Sequence, residues 1–332
     1  MNSPIKSIFP LGFPWQTRDP FLFAVYHLDH YPKGNEAMGP ADSLEGRNLG
    51  NDFTIKDGWR MYHGTTIPGF PYHPHRGFET ITIVNKGFCD HSDSLGAAGR
   101  FGEGDVQWMT AGRGVQHSEM FPLLNTDKDN PLELFQIWLN LPSSAKFVAP
   151  HFKMLWHEDI PILQEKNGRV KIIAGNYKGT KAPAPAPDSW AADEANEVAI
   201  LNIHIDANST YELPRSNSKL TRMLYFYEGP EIKISDENVK QGHGIELDAS
   251  SDTQIHTGNK KTHFIMLQGK AIDEPVVQHG PFVMNTQEEI RATMKEYGLT
   301  QFGGWPWRHA DNVHEKAKGR FALYPDGTLV EK

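Results

Sequence analysis

Residues 71–80 read PYHPHRGFET. His73 and His75 stand two apart, and alternate side chains of a strand share a face, so both imidazoles point the same way. Pro74 between them has no N–H and suits an edge or irregular position. Two same-face histidines are half of a transition-metal site, which needs three or four nitrogen, sulfur or oxygen ligands. A buried histidine is more commonly a hydrogen-bonded core group. With 16 histidines in the chain some pairs arise by chance, and the pair alone leaves both readings open.

A second pair lies in MTAGRGVQHSEMFP (109–122), where His117 and Glu119 are again two apart. Gly112 and Gly114 precede it and mark a tight turn into a strand. Gly102 and Gly104 mark another turn in FGEGDVQWM (101–109). If the two strands are neighbours, three nitrogens and one carboxylate converge. On an octahedral metal such a set leaves positions open for O2, a substrate or both. On tetrahedral zinc it would be closed and structural.

The elements that must carry these residues are strands. FETITIVN (78–85), LELFQIWLNLP (132–142), VAILNIHIDAN (198–208) and LTRMLYFYEG (220–229) alternate in strand fashion. Gly, Asn and Asp interrupt such runs at short intervals, as in an all-β sandwich or barrel. The one clear helix is TQEEIRATMKEYGL (286–299), with a Thr286–Glu289 capping box and Gly298 as its stop. At roughly 100–200 residues per domain, the 332-residue chain predicts two domains. The boundary is expected within 140–152, giving domains 1–150 and 151–332, the second carrying the C-terminal helix and tail. ITIVNKG (81–87) and MLYFYEG (223–229) suggest a weak internal duplication. The Ala- and Pro-rich segment 177–196 reads as an extended loop or linker inside the second half.

Other chemistries are disfavoured. A net charge of −8 argues against a broad nucleic-acid footprint. The single cysteine, Cys89, permits no intrachain disulfide and fits a reducing compartment. The N-terminus has no apolar leader, and no run of 18 apolar residues occurs. These features predict a soluble, cytoplasmic protein with no membrane contact. There is no phosphate loop, G-x-S-x-G or Cys–His nucleophile pattern.

HPHRGFETITIV and GDVQWMTAGRGVQHSEM together resemble the pirin family of the cupin superfamily. EPVVQHGPFVMNTQEEI (274–290) and GRFALYPDG (319–327) carry the same resemblance, which runs from about residue 20 to the end. It implies an all-β bicupin: two stacked β-barrels with few short helices, metal in the N-terminal barrel and none in the C-terminal one. It implies His73, His75, His117 and Glu119 as ligands of one divalent metal. Iron(II) is the expected occupant, with nickel, manganese, copper or zinc as others the site could take. General cupins place an acidic ligand shortly after H-x-H, which here is Glu79. Two readings stand for it: a residue behind the ligands that accepts an imidazole N–H, or a partner of Arg76. Trp108 and Met109 read as core or pocket lining, and Arg76 and Arg113 as ordinary ion-pair formers. Phe70 reads as the wall for an aromatic substrate and Phe78 as facing outward.

The resemblance implies quercetin 2,3-dioxygenase activity on flavonols or related aromatic hydroxy compounds with O2. Glu119 would then take the substrate hydroxyl proton as general base. The alternative is a non-enzymatic, iron-dependent redox sensor that binds a transcription factor or metabolic enzyme. The same residues serve both readings.

Overall fold

The alternating segments form strands close to where their pattern puts them: Phe78–Lys86, Asn130–Asn140, Ala199–Ile205 and Leu220–Glu228. The structure is a computed structural model that describes residues 3–217 and 219–332. Its one α-helix among the described residues is Gln287–Thr300, and the remaining regular structure is strand or short 3-10 turn. The all-β class expected from the sequence is what the chain adopts.

The chain divides into two compact units. One comprises Tyr26–Gln136, Ser143–His157 and Glu274–Lys332. Its five-stranded sheet runs in the order His151–Leu155, Val106–Thr110, Phe78–Lys86, Asn130–Asn140, Phe21–Tyr31. A six-stranded sheet runs Leu329–Glu331, Phe321–Leu323, Ala98–Gly102, Phe88–Asp93, Val115–Met120, Gly69–His75. Val84, Leu134 and Met154 from the first sheet and Cys89, Phe101 and Ala322 from the second share one core. Burial pushes the Cys89 thiol up, which leaves it an inert core residue.

The other unit comprises Met1–Val25, Ile137–Pro142 and Glu158–Asp273. A seven-stranded sheet, from Ile5–Pro10 at one edge to Ile162–Glu165 at the other, faces a four-stranded sheet. Leu201, Leu224, Phe264, Tyr211 and Ile255 lie in the core between them.

This partition differs from a single cut near residue 150, because each terminus pairs away from its sequence neighbours. Ile5–Pro10 is hydrogen-bonded to His243–Leu247. Phe321–Leu323 is hydrogen-bonded to Ala98–Gly102. The C-terminal helix and tail therefore belong with the first barrel, not the second. Arg100 explains the hold on the tail. Its fully buried guanidinium makes two 2.7 Å bonds to Asp90 and donates to the carbonyls of His314, Glu315 and Lys318.

The helix has the expected capping box, with Thr286 accepting from the Glu289 amide. It does not stop at Gly298. It continues to Thr300 and ends on Gln301 in the left-handed region. Tyr297 packs on Phe282 and Phe302 one turn before the end, which holds the last turn in place beyond the glycine.

Replacing Arg100 by methionine leaves Asp90 buried without its counter-ion. That loss is expected to cost about 3–5 kcal/mol and to free the tail near residues 314–320 to proteolysis. Urea unfolding and limited proteolysis check it; an unchanged midpoint with a protected tail would contradict it.

Candidate metal centre

Strand Gly69–His75 pairs antiparallel with Val115–Met120, placing His73 opposite His117 and Phe70 opposite Glu119. Directly opposed residues share a face, so the two ligand pairs meet as the sequence expects if the strands are neighbours. The register slips between Phe70 and His73. This bulge lets Phe70 join His73 and His75 on the inner face despite its opposite parity. Two glycine turns bring the chain in. Gly77, at φ +85, would put a Cβ 1.9 Å from the Val283 carbonyl oxygen. Gly114, at φ +130, would put one 2.7 Å from the Phe302 ring.

The three imidazoles form a triangle, with ring centroids 4.8 Å apart for His73–His75, 4.6 Å for His73–His117 and 4.9 Å for His75–His117. One nitrogen from each lies within 4.8 Å of the others. His73 Nδ1 donates to the Pro71 carbonyl at 2.9 Å, which leaves Nε2 with its lone pair. Both ring nitrogens of His117 are buried and make no hydrogen bond. Burial, then the neighbouring imidazoles, hold His75 and His117 well below the usual histidine range. Burial brings His73 down to about 4. Three neutral imidazoles with a buried nitrogen lacking a proton partner fit a transition metal, whose ligands must be deprotonated.

Glu119 stands beside this triangle rather than inside it. Its Oε2 lies 3.9 Å from His117 Nε2. Thr82 donates to Oε1 at 2.8 Å and Gln136 to Oε2 at 2.5 Å. Burial raises the carboxyl pKa, opposed by Thr82, the field of His91 and Gln136. Three of the four predicted residues are gathered, and the fourth is held next to them by two neutral donors.

Glu79 Oε1 accepts from Trp108 Nε1 at 3.1 Å and Thr110 at 2.7 Å. Arg76 instead makes a two-pronged ion pair with Glu296 at 2.7 and 2.8 Å. Strand parity explains the assignment. Thr82 and Val84 face the interior of the first barrel, so Glu79 and Trp108 face the opposite side of the sheet. For the same reason Phe78 is not outward: its ring lies 5.0 Å from His75 and it is fully buried. Met109 packs in a small core with Ala111 and Val115. Arg113 is exposed. Phe70 sits 6.3 Å from His73 and 5.2 Å from Tyr62, at the head of an aromatic wall that includes Phe121.

Sequence reasoning passed over Thr82, Gln136 and His91. His91 is opposite Glu119 in register and its ring is 5.6 Å from His117. The available signal was polar residues at inward parity in strands that are otherwise apolar. It also passed over a buried chain in which His27 Nδ1 meets the Tyr62 hydroxyl at 2.8 Å. Tyr62 in turn donates to Asp29 at 2.5 Å, and Asp29 pairs with Arg60. Burial brings His27 down to about 3.

Comparison with known proteins converges on one group. Residues 14–139 match the Pirin family and residues 200–303 the Pirin C-terminal cupin domain. A Pseudomonas aeruginosa protein named "Putative quercetin 2,3-dioxygenase" is 35% identical over 304 residues, 90% of this chain and 92% of that protein. Human pirin is 33% identical over 263 residues, 77% of this chain and 82% of that one. A crystal structure of quercetin 2,3-dioxygenase from Acinetobacter baumannii superposes with a TM-score of 0.69 at 24% identity. The match covers 91% of this chain and 96% of that one.

Two outcomes test the centre. His117→Ala protein, refolded with iron(II) and desalted, is expected to lose bound metal by elemental analysis. Stoichiometric metal in a folded variant would refute the ligand assignment. The second outcome follows from His73 near 4 and His27 near 3, both below the ordinary 6.5. The unfolded chain takes up protons in that interval and the folded chain does not. Stability of the metal-free protein is therefore full above pH 6.5 and falls as pH drops toward about 4. Urea midpoints across that range check this, and a flat profile contradicts it.

Proposed function

The chain belongs to the pirin family, and on that premise we propose that it is a metal-dependent dioxygenase of the quercetin 2,3-dioxygenase kind. Its substrate is a flavonol or related aromatic hydroxy compound, with O2 as co-substrate. The observation that carries this reading is the triangle of neutral imidazoles, two buried and one half-buried, with a carboxylate on one side and an aromatic wall on the other. The name of the Pseudomonas relative supports the same chemistry.

His73, His75, His117 and Glu119 would hold the metal, iron(II) first among the candidates. When bound, it supplies a Lewis-acid and redox centre with positions open to oxygen donors. The chain's residues do the rest. Half-buried Phe70 offers a ring against which an aromatic substrate is oriented, and the buried rings of Tyr62 and Phe121 hold it from behind. Glu119 accepts the substrate hydroxyl proton, with Thr82 holding its Oε1, while Oε2, bonded to Gln136 here, is the oxygen that would turn toward the metal. The apolar floor of Phe78, Met109 and Val115 keeps water from the ligands.

A second reading, a redox-state reporter to a partner protein, draws on one observation. Residues next to two ligands are wired to the C-terminal helix. Arg76 bonds Glu296 and Thr293, while Gln116 donates to the Gln301 carbonyl and accepts from Tyr297.

Iron-loaded protein incubated with quercetin in air is expected to bleach the flavonol absorbance and release carbon monoxide. Glu119→Gln is expected to lower kcat by about 10²–10⁴-fold, while Phe70→Ala raises KM more than it lowers kcat. No turnover with iron, nickel, manganese or copper would overturn the dioxygenase reading for flavonols. A change in amide exchange of residues 287–303 between iron(II) and iron(III) forms would then favour the second reading.

A further inference from the structure

The aromatic wall beside the candidate metal centre continues outward into the loop 46–64. Of the three imidazoles, His75 and His117 are buried and His73 is half-buried, so the centre is approached from the His73 side. Phe70, also half-buried, flanks that side at 6.3 Å from His73. Beyond Phe70 stand two exposed rings, Phe53 and His63. The His63 ring is 5.6 Å from Phe70 and 5.0 Å from Phe53, and Phe53 is 6.2 Å from Phe70. The three rings form one cluster, with Phe70 nearest the ligands and the other two at the water side. His63 is near enough to His73 for its field to be felt there.

The loop that carries these rings is firmly held. The Gly69 amide donates to the Met61 carbonyl at 3.2 Å and the His63 amide to the Gly69 carbonyl at 3.0 Å, which sets His63 beside Phe70. Asp52 and Tyr62 exchange two backbone bonds at 2.7 and 2.9 Å. The Asp52 carboxylate also accepts from the Met61 amide and from Arg47. Arg47 lies 3.2 Å over the Trp59 ring and donates to the Trp59 and Lys56 carbonyls. Tyr62, at φ +57, is in the left-handed region, a conformation that a residue with a large side chain keeps where its surroundings fix it. Its own ring is buried and bonded to Asp29 and His27, while His63 turns outward. Rings fixed in place before a ligand arrives lose less freedom when it binds.

His63 also has a defined tautomer. Its Nδ1 lies 2.7 Å from the Gly50 carbonyl, which can only accept, so Nδ1 carries the proton and Nε2 the lone pair. Among the described residues Nε2 has no partner. The rim therefore offers one oriented acceptor and one exposed ring, beside the wall that leads to the ligands. An aromatic ring bearing a hydroxyl fits both.

We propose that Phe53 and His63 form the outer rim of the substrate site and select aromatic substrates that carry hydroxyls remote from the one that meets the metal. A remote hydroxyl donates to His63 Nε2, and Phe53 packs against the ring that bears it. The inference rests on the dioxygenase reading and narrows its substrate class from flavonols at large to polyhydroxylated ones. Because His63 is exposed, water competes for Nε2. The preference is therefore modest, roughly three- to tenfold, the worth of one neutral hydrogen bond.

The test is anaerobic titration of the iron(II)-loaded full chain, read by the change in flavonol absorbance. The probes are quercetin and unsubstituted flavonol, which keeps only the hydroxyl that meets the metal. Quercetin is expected to bind roughly three- to tenfold tighter. His63→Leu is expected to erase that difference by weakening quercetin alone. His63→Asn keeps an amide donor for the Gly50 carbonyl and removes the Nε2 acceptor. It is expected to behave like His63→Leu, which separates the acceptor from the loop anchor. Phe53→Ala is expected to weaken both flavonols to a similar degree. Equal affinity of the two flavonols for the unaltered chain, a preference that survives in folded His63→Leu and His63→Asn, or unchanged affinities in Phe53→Ala would each overturn the proposal. A preference that depends on His63, with no turnover once air is admitted, would sink the dioxygenase reading and leave the rim standing. Turnover of quercetin without the preference would do the reverse.

Discussion

Three imidazoles, two buried and one half-buried, must stay together and uncharged, and most of the first barrel follows from that requirement. Protonating any one of them would place a cation against two others in a low dielectric, and burial makes that state still less favourable. The depressed histidine pKa values are the same fact seen in solution terms. A hydrogen-bonded core histidine relieves its polarity by donating and accepting. His117 does neither. A metal that took a lone pair would reconcile its buried nitrogens with a stable fold, and on the proposed reading metal binding would be part of the stability of the barrel.

Holding that triangle requires exact chain placement from weak elements. The two ligand strands are short, and one contains a proline and a bulge. Their turns are fixed from outside the ladder. Gly77 presses against the Val283 carbonyl and Gly114 against the Phe302 ring. Arg76 is gripped by Glu296 and Thr293 and lies 4.4 Å over Phe302. The C-terminal segment is thus a brace for the residues beside the ligands. The pair joins a buried guanidinium to a half-exposed carboxylate, so water screens part of its attraction and its effect is chiefly to position Arg76.

Much of this was legible in the sequence because it rests on period and on residue type. Alternation located the strands, glycine spacing located the turns, and the pairs at two-residue spacing named the face on which the three histidines gather. What stayed hidden depends on contacts between distant segments. Nothing local reveals that Glu119 is held by Thr82 and Gln136, or that Arg76 reaches Glu296 rather than Glu79. The facing of Phe78 was misread because Pro74, Gly77 and the turn between the strands break the simple count from His75. The swapped termini were hidden for a related reason: Ile5–Pro10 and Phe321–Leu323 are short edge strands whose partners only the closed sheets define. In the second barrel, Arg222 reads as a surface charge in LTRMLYFYEG until its neighbours show that the strand turns it inward.

The most direct measurement is anomalous diffraction at the iron edge from crystals of iron(II)-loaded protein. One peak is expected, centred among His73, His75 and His117 at about 2.0–2.2 Å from a nitrogen of each, with the Glu119 carboxylate turned from Gln136 toward it. A peak elsewhere, such as beside Asp105 and His157, or no peak in crystals whose three imidazoles keep their places, would contradict it.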